Sequence, residues 1–321
     1  GGMVTPELKR QFEARGIPLI PIKEGAERLV AELLSQDFIN QEITIGGKPT
    51  LSATENAEDD HEFSLMLNSA THGFLKDHSV NNVPVVPVVL VMEWFMRAAK
   101  ALRPDLYPVA CQNVKVLKGI LLKEFDSTVV MKIKAIHQGD LANSNISMEC
   151  VSQSGTRHYC ASVVMADKVV TVKAKQKSSL ELRGFQSDIY DGEILFHGPQ
   201  FQMLKKVEGV EDEGSLGQLI GTEGLGWKGT GWYTDAAAID GGLQLALLWS
   251  KHVLGGRSLP TGVGTYNDYG MGLFKEPVTC ELQKKDVSRN KAVCDIVFSM
   301  ENGDVLAQLT DVETHLIPES N

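Results

Sequence analysis

The sequence is short of the features that mark several large protein classes. Its five cysteines (Cys111, Cys150, Cys160, Cys280, Cys294) are odd in number, and no two stand in a C-x-x-C spacing. That argues against a disulfide framework and a zinc site, and a reduced, cytoplasmic setting is expected. No His/Asp/Glu cluster has metal-ligand spacing, so no metal is expected. Bases number 31 against 41 acids, a net charge of −10, with no run of five or more bases. A nucleic-acid surface is therefore not expected. No apolar run has the length of a membrane span; Val83–Met96 is too short, holds two prolines and carries Glu93. The opening "GGMVTPELKRQFEARG" has charges where a signal peptide needs an apolar stretch, so none is expected. There is no G-x-S-x-G elbow and no G-x-x-x-x-G-K-[ST] loop. "GLGWKG" (Gly224–Gly229) does match G-x-G-x-x-G, but Trp227 and Lys228 fill it and hairpin-type strands flank it. A dinucleotide fingerprint needs a parallel βαβ unit, so a flexible glycine-rich loop is expected here.

What is present is enough apolar content, 43% of 321 residues, for a full core in one large or two modest domains. Residues 1–36 read as two short amphipathic helices split by "IPLIPI". Strand-like segments follow from about Ile43. Then comes an apolar helix opened by Pro87, "PVVLVMEWFMRAAKALRP", where the proline's missing N–H costs nothing. Four strand segments between Cys111 and Ala166 suggest an antiparallel meander. The Lys-rich stretch 169–181 reads as a linker. The pattern then repeats: strands, one apolar helix "DAAAIDGGLQLALLWSKHVLGG", four strands. A helix apolar on most faces must be buried, and one curled sheet around it is the simplest cover. Two such halves are expected, with helices near 88–103 and 236–253.

Two of the eight histidines, His78 and His197, sit beside turns that abut strongly apolar segments. His78 lies in "LKDHSVNNVPVVPVVLVMEWFM", where a buried, merely hydrogen-bonded histidine and a base in an apolar pocket are both admissible. His61, His137, His158 and His315 fit sheet surfaces, and His252 fits a helix C-terminus, where a cation offsets the dipole. Asp240, early in the second helix, is either its N-cap or a carboxyl held partly protonated by an apolar site. Gln244, four residues on, shares its helix face.

These segments resemble the dehydratase domains of polyketide and fatty-acid synthases. "DHSVNNVPVVP" is similar to their H-x-x-x-G-x-x-x-x-P motif, giving His78 and Pro87, with Asn82 in place of the glycine. "DGGLQ" resembles D-x-x-x-[QH], giving Asp240 and Gln244. "FHGPQFQML" resembles Y-G-P-x-F, giving Gly198, Pro199 and Phe201, with His197 in place of the tyrosine. "LPTGVGTYNDY" is similar to their L-P-x-x-[IV] strand. Residues 1–36 resemble the C-terminal end of a ketoreductase domain, and the whole resembles the region after the ketoreductase in polyunsaturated fatty acid synthases.

The resemblance implies an α+β double hotdog, with halves at 46–168 and 182–318. It implies elimination of water from a 3-hydroxyacyl thioester to give a trans-2-enoyl thioester. His78 would be the base and Asp240 the acid, with Gln244 holding the substrate hydroxyl. A backbone N–H around Val86 to Val88 would face the thioester oxygen. Asn82, Pro87, Val88, His197, Gly198, Pro199 and Phe201 would be substrate-binding. No cofactor is expected beyond the phosphopantetheine that carries the substrate. The partners implied are acyl carrier protein domains, other domains of the same synthase and a second copy in a homodimer, with no membrane. A non-catalytic acyl-binding hotdog and a product-template-type cyclase share the fold.

Overall fold

The computed structural model describes Lys23 and residues 61–136, 145–169, 172, 180–227, 231–270, 272–275 and 277–317. The chain divides into two units, Gly1–Ala57 and Glu58–Asn321, and among the described residues every strand belongs to the second. The expectations for residues 1–36, the strand-like stretch before residue 61, His137 and almost all of the 169–181 linker lie outside the described residues. Val172, inside that stretch, makes an isolated antiparallel bridge with Val305.

In the first half, β1 (His61–Leu67) precedes a 3-10 turn at Gly73–Asp77 and a short hairpin, β2 (Ser79–Val80) and β3 (Val83–Pro84). Helix α1 (Val88–Leu102) comes next, then β4 (Tyr107–Val116), β5 (Val129–Ile136), β6 (Asn145–Ser152) and β7 (Arg157–Ala166). The second half holds β8 (Leu204–Glu211), β9 (Gly214–Leu219), α2 (Ala236–Leu254), β10 (Ser258–Asp268), β11 (Val278–Val287), β12 (Lys291–Ser299) and β13 (Val305–Leu316). The strands form one eleven-stranded sheet in the order β1-β5-β6-β7-β4-β10-β13-β12-β11-β9-β8. Each half is an antiparallel sheet wrapped on one helix, the double hotdog expected. The first-half strands are not a plain meander, because β4 pairs with β7 rather than with β5. That placement frees the other edge of β4 to pair with β10, and the two halves join there.

Alternation decides which face each strand buries. In β5, Met131, Ile133 and Ala135 point inward, while Lys132 and Lys134 point out to Glu62 on β1. The helices are buried nearly all round. In α1 every residue from Val88 to Met96 is buried, Glu93 included. In α2 burial runs unbroken from Ala236 to Ser250. Gly242 lets α2 sit close to the sheet, since a Cβ there would stand 2.5 Å from Phe298 Cζ. Pro87 is the N-cap of α1, one position earlier than the first helical turn. The N-cap of α2 is Asp235, whose carboxylate accepts the Ala238 N–H at 3.0 Å. The capping alternative for Asp240 is thereby excluded.

Candidate active site

The hairpin that carries His78 is set by its turn. Asn81 and Asn82 have φ of 51° and 62°, the left-handed pair a two-residue hairpin needs. Asn82 thus adopts a backbone open to glycine, as Asn does most readily among side-chain-bearing residues. Both asparagines are exposed. Beyond the turn, Val85 grips His78 twice. Its N–H donates to the His78 carbonyl at 2.9 Å. Its carbonyl lies 2.7 Å from His78 Nδ1. A carbonyl only accepts, so Nδ1 carries the hydrogen, and Nε2 of the neutral ring keeps a free lone pair.

An aromatic wall holds the ring from the second half. Phe201 and Phe196 stand 5.0 and 5.3 Å from it, the latter edge-on. His197 is 5.3 Å away and stacks on Phe196 at 4.4 Å. His197 is buried and its Nδ1 has no hydrogen-bond partner among the described residues. Burial, and then the neighbouring His78 charge, hold its pKa well below the usual imidazole range. Gly198 and Gln200 fasten the two segments together. Gly198 N–H donates to the Asp77 carbonyl at 2.8 Å, and Gln200 N–H donates to Asp77 Oδ2 at 2.7 Å.

Asp240 faces the same space from α2. It is 4% exposed, and burial raises its pKa against the opposing effects of the His78 charge and the Gln244 hydrogen bond. A carboxyl so placed keeps its proton above the ordinary carboxylate range. Gln244 Nε2 donates to Asp240 Oδ2 and to the Phe201 carbonyl, each at 2.8 Å. Its Oε1 accepts from Tyr190 O–H at 2.8 Å. Both amide hydrogens are thereby committed to protein, which aims Asp240, while Oε1 keeps a second lone pair.

His78, Pro87, Val88, His197, Asp240 and Gln244 all line one cavity of about 240 Å³, otherwise walled mostly by aliphatic side chains. Asn82, Gly198, Pro199 and Phe201 do not line it. Asn82 shapes the hairpin, Phe201 packs on the His78 ring, Gly198 binds the Asp77 carbonyl, and Pro199 opens the 3-10 turn that carries Phe201. Of the backbone donors expected near Val86–Val88, the Val86 N–H is committed to the Ile120 carbonyl at 3.0 Å. Pro87 has none, which leaves Val88, whose N–H at the first helical position has no intrahelical acceptor.

Sequence reasoning missed three supports. Tyr190 holds Gln244 and also accepts the Leu204 N–H at 2.8 Å. Trp227 is buried, stacks on Phe74 at 4.4 Å and donates to the Gln200 carbonyl at 2.8 Å. The glycine-rich stretch is thus a packed turn as far as Trp227; residues 228–230 lie outside the described residues. Glu93, fully buried, accepts from Tyr233 N–H (3.0 Å), Thr234 N–H (2.8 Å), Thr234 Oγ1 (2.7 Å) and Arg97 Nε (2.6 Å). Only Trp227 left a sequence signal, a bulky aromatic among glycines. His252 near the C-terminus of α2 pairs with Asp212 as expected. His158 does not lie on a sheet surface: it is buried, and its Nδ1 meets the Lys118 carbonyl at 2.9 Å, which offsets the cost of burying it.

The fold is a double hotdog whose one apolar cavity brings together an imidazole clamped at Nδ1 and a buried carboxyl with a raised pKa. Residues 49–153 match the family described as "Polyketide synthase dehydratase domain", and residues 153–321 match "Polyketide synthase dehydratase N-terminal domain". The chain belongs to the polyketide synthase dehydratase domains, a family of 3-hydroxyacyl dehydratases. It is 25% identical over 272 residues to a polyunsaturated fatty acid synthase subunit of Thraustochytrium sp., a match covering 82% of this chain. The chain spans about 10% of the length of that relative. Among solved structures, the dehydratase domain from the CurF module of curacin polyketide synthase is similar with a TM-score of 0.65 at 17% identity, covering 83% of this chain and 96% of that one. A trans-AT polyketide synthase dehydratase domain from Brevibacillus brevis gives 0.66 at 18%, covering 81% and 94%.

Proposed function

We propose that this chain removes water from a 3-hydroxyacyl thioester carried on the phosphopantetheine of an acyl carrier protein, giving a trans-2-enoyl thioester. The observation that carries the reading is the Val85 clamp on His78, which leaves Nε2 free in the cavity that also holds Asp240. In this reading His78 Nε2 takes the proton from C2. The electron pair of that C–H bond becomes the C2–C3 double bond. The C3–O bond breaks as Asp240 gives its proton to the leaving hydroxyl, which departs as water. The Val88 N–H, at the positive end of α1, stabilises charge developing on the thioester oxygen. Gln244 is a positioning residue for Asp240. His78 is left protonated and Asp240 ionised, and transfer of one proton between them through solvent resets the site.

The wider reading rests on the Thraustochytrium relative: a domain of a multidomain polyunsaturated fatty acid or polyketide synthase, in the cytoplasm, with hotdog halves at 46–168 and 182–318. It would be served by carrier domains in the same polypeptide, where tethering supplies effective concentration, and would pair as a homodimer. Among the described residues no helix is long and apolar enough to cross a membrane, and no His/Cys/Asp/Glu group is arranged to hold a metal ion. The test is conversion of a 3-hydroxyacyl pantetheine thioester to its 2-enoyl product, followed by mass spectrometry. Wild-type turnover with none in His78→Phe supports the reading; equal turnover in both overturns it.

A further inference from the structure

We infer that His197 is a neutral hydrogen-bond donor to the thioester oxygen, its Nε2–H acting beside the Val88 N–H on the charge that builds there. The inference rests on the dehydratase reading above. His197 lines the cavity and is 6% exposed. Its Nδ1 is sealed from solvent and has no partner among the described residues. Its Nε2 is neither sealed nor hydrogen-bonded among the described residues, so Nε2 is the nitrogen that meets the cavity. A neutral imidazole carries one N–H. On Nδ1 that hydrogen would belong to a sealed donor with no acceptor, an arrangement that folded proteins rarely hold. The hydrogen therefore sits on Nε2. The cavity thus holds two imidazoles in opposite tautomers, their centroids 5.3 Å apart. His78 presents a lone pair and His197 presents an N–H.

The same sealing keeps the His197 ring neutral. An imidazolium donates from both nitrogens, and Nδ1 has no acceptor to receive it. Neutrality matters to both neighbours. A cation beside His78 would lower its pKa as a like charge, and would favour the ionised form of Asp240, which has to hold its proton. A neutral N–H disturbs neither group and still hydrogen-bonds an oxygen that gains negative charge. The donors already committed point to which oxygen that is. Tyr159 O–H, also in the cavity wall, donates to the Val86 carbonyl at 3.3 Å. The Gln244 amide hydrogens go to Asp240 and the Phe201 carbonyl. Asp240 O–H serves the leaving hydroxyl. The thioester oxygen has two lone pairs and otherwise only the Val88 N–H, and His197 Nε2–H is the side-chain donor left to complete the pair.

The test begins on the wild-type protein, with ¹⁵N spectra of its histidine rings. His197 should show a protonated Nε2 and a bare Nδ1, and His78 the reverse; His197 protonated on Nδ1 overturns the inference. Turnover of 3-hydroxybutanoyl pantetheine thioester is then compared in wild type, H197F and H197Q. Phe removes both nitrogens, and Gln restores a neutral N–H close to the place of Nε2. H197F should lose on the order of 10²–10³ in kcat with KM little changed, because the donor acts on charge present in the transition state. H197Q should recover about tenfold or more of that loss. The carbonyl itself is read by infrared spectroscopy on bound butanoyl pantetheine thioester labelled with ¹³C at C1, which has no hydroxyl to eliminate. Its C=O stretch should lie lower on wild type and H197Q than on H197F. Undiminished kcat in H197F overturns the inference, as does a loss of kcat with the stretch unmoved, or one that tracks a fall in melting temperature and is not recovered by Gln. No turnover by the wild type overturns the dehydratase reading itself.

Discussion

Gly198→Ala tests how the His78 loop is held. An alanine Cβ at 198 would stand 2.7 Å from Asp77 Cγ and Oδ1 and 3.0 Å from Asp77 Cβ. Asp77 must move, yet its Oδ2 is anchored by the Gln200 N–H at 2.7 Å. Losing that bond and straining the loop costs about 1–2 kcal/mol, because the colliding atoms end a side chain rather than belong to the backbone. For a unit of this size the melting temperature should fall by roughly 2–8 °C. The larger effect is on turnover. His78 is the next residue, and a displacement of about 1 Å at a reacting group reduces kcat/KM on the order of 100-fold. Asp77→Ala removes the two closest atoms, leaves only its own Cβ at 3.0 Å, and loses the Gln200 bond, about 1 kcal/mol. The double variant should therefore be little worse than Asp77→Ala alone, with a coupling of about 1 kcal/mol or more. Thermal melts and kcat/KM on the four proteins complete the cycle. A Gly198→Ala protein with wild-type melting and turnover, or strictly additive variants, would refute the reasoning.

His78→Phe should lower turnover by roughly 10²–10⁴-fold while melting within a few degrees of wild type, since it loses only the Val85 hydrogen bond; a large drop in melting with intact turnover would make His78 structural. Asp240→Asn should abolish most activity and change the pH dependence of stability. The wild-type carboxyl, raised by burial, binds its proton in the folded state above the ordinary carboxylate range. The folded protein then holds more protons than the unfolded chain between the two values, so this group's contribution to stability falls as pH rises through that window. Asn does not titrate, so the variant should gain stability relative to wild type on the alkaline side, and parallel urea melts across pH would show no such crossover if Asp240 were an ordinary carboxylate. Tyr190→Phe leaves Gln244 Oε1 without its donor and should lower stability by about 1–3 kcal/mol, with a fall in kcat greater than the change in KM. Asn82→Gly should leave turnover within about twofold, because the hairpin already holds a left-handed backbone there; a gain of activity on reverting to glycine would mean the asparagine obstructs the site.

The helices were the most legible part of the fold. Their apolar runs, bounded by Pro87 and Pro104 and by Asp235 and Gly255, place them within a residue of where they lie, 88–102 and 236–254. Gly255 closes α2 in the left-handed conformation, a signal readable in advance. The cap of α2 was not readable, because "DAAAID" offers two carboxylates and only the fold shows that Asp235 reaches the backbone while Asp240 faces the cavity. His78 and Asp240 were found through their local apolar settings. Tyr190 was not, since its two hydrogen bonds reach residues 14 and 54 positions away and nothing local marks it. The pairing of β4 with β10 was hidden for the same reason: alternation tells which face of a strand is inward, not which strand stands beside it.

Glu93 gives the molecule its one-sidedness. It is the sixth residue of α1, as Asp240 is the fifth of α2. Repeated halves supply two helices that each carry a buried carboxyl side chain, and repetition by itself would treat them alike. Around Asp240 there is a cavity and an imidazole. The Glu93 oxygens instead receive donors from Tyr233, Thr234 and Arg97, so no reacting group has a place on them. Glu93 is a clasp that ties the first helix to the segment leading into the second. The expected stoichiometry under the dehydratase proposal is one substrate per chain, and an active-site titration should end at one equivalent although the architecture repeats twice.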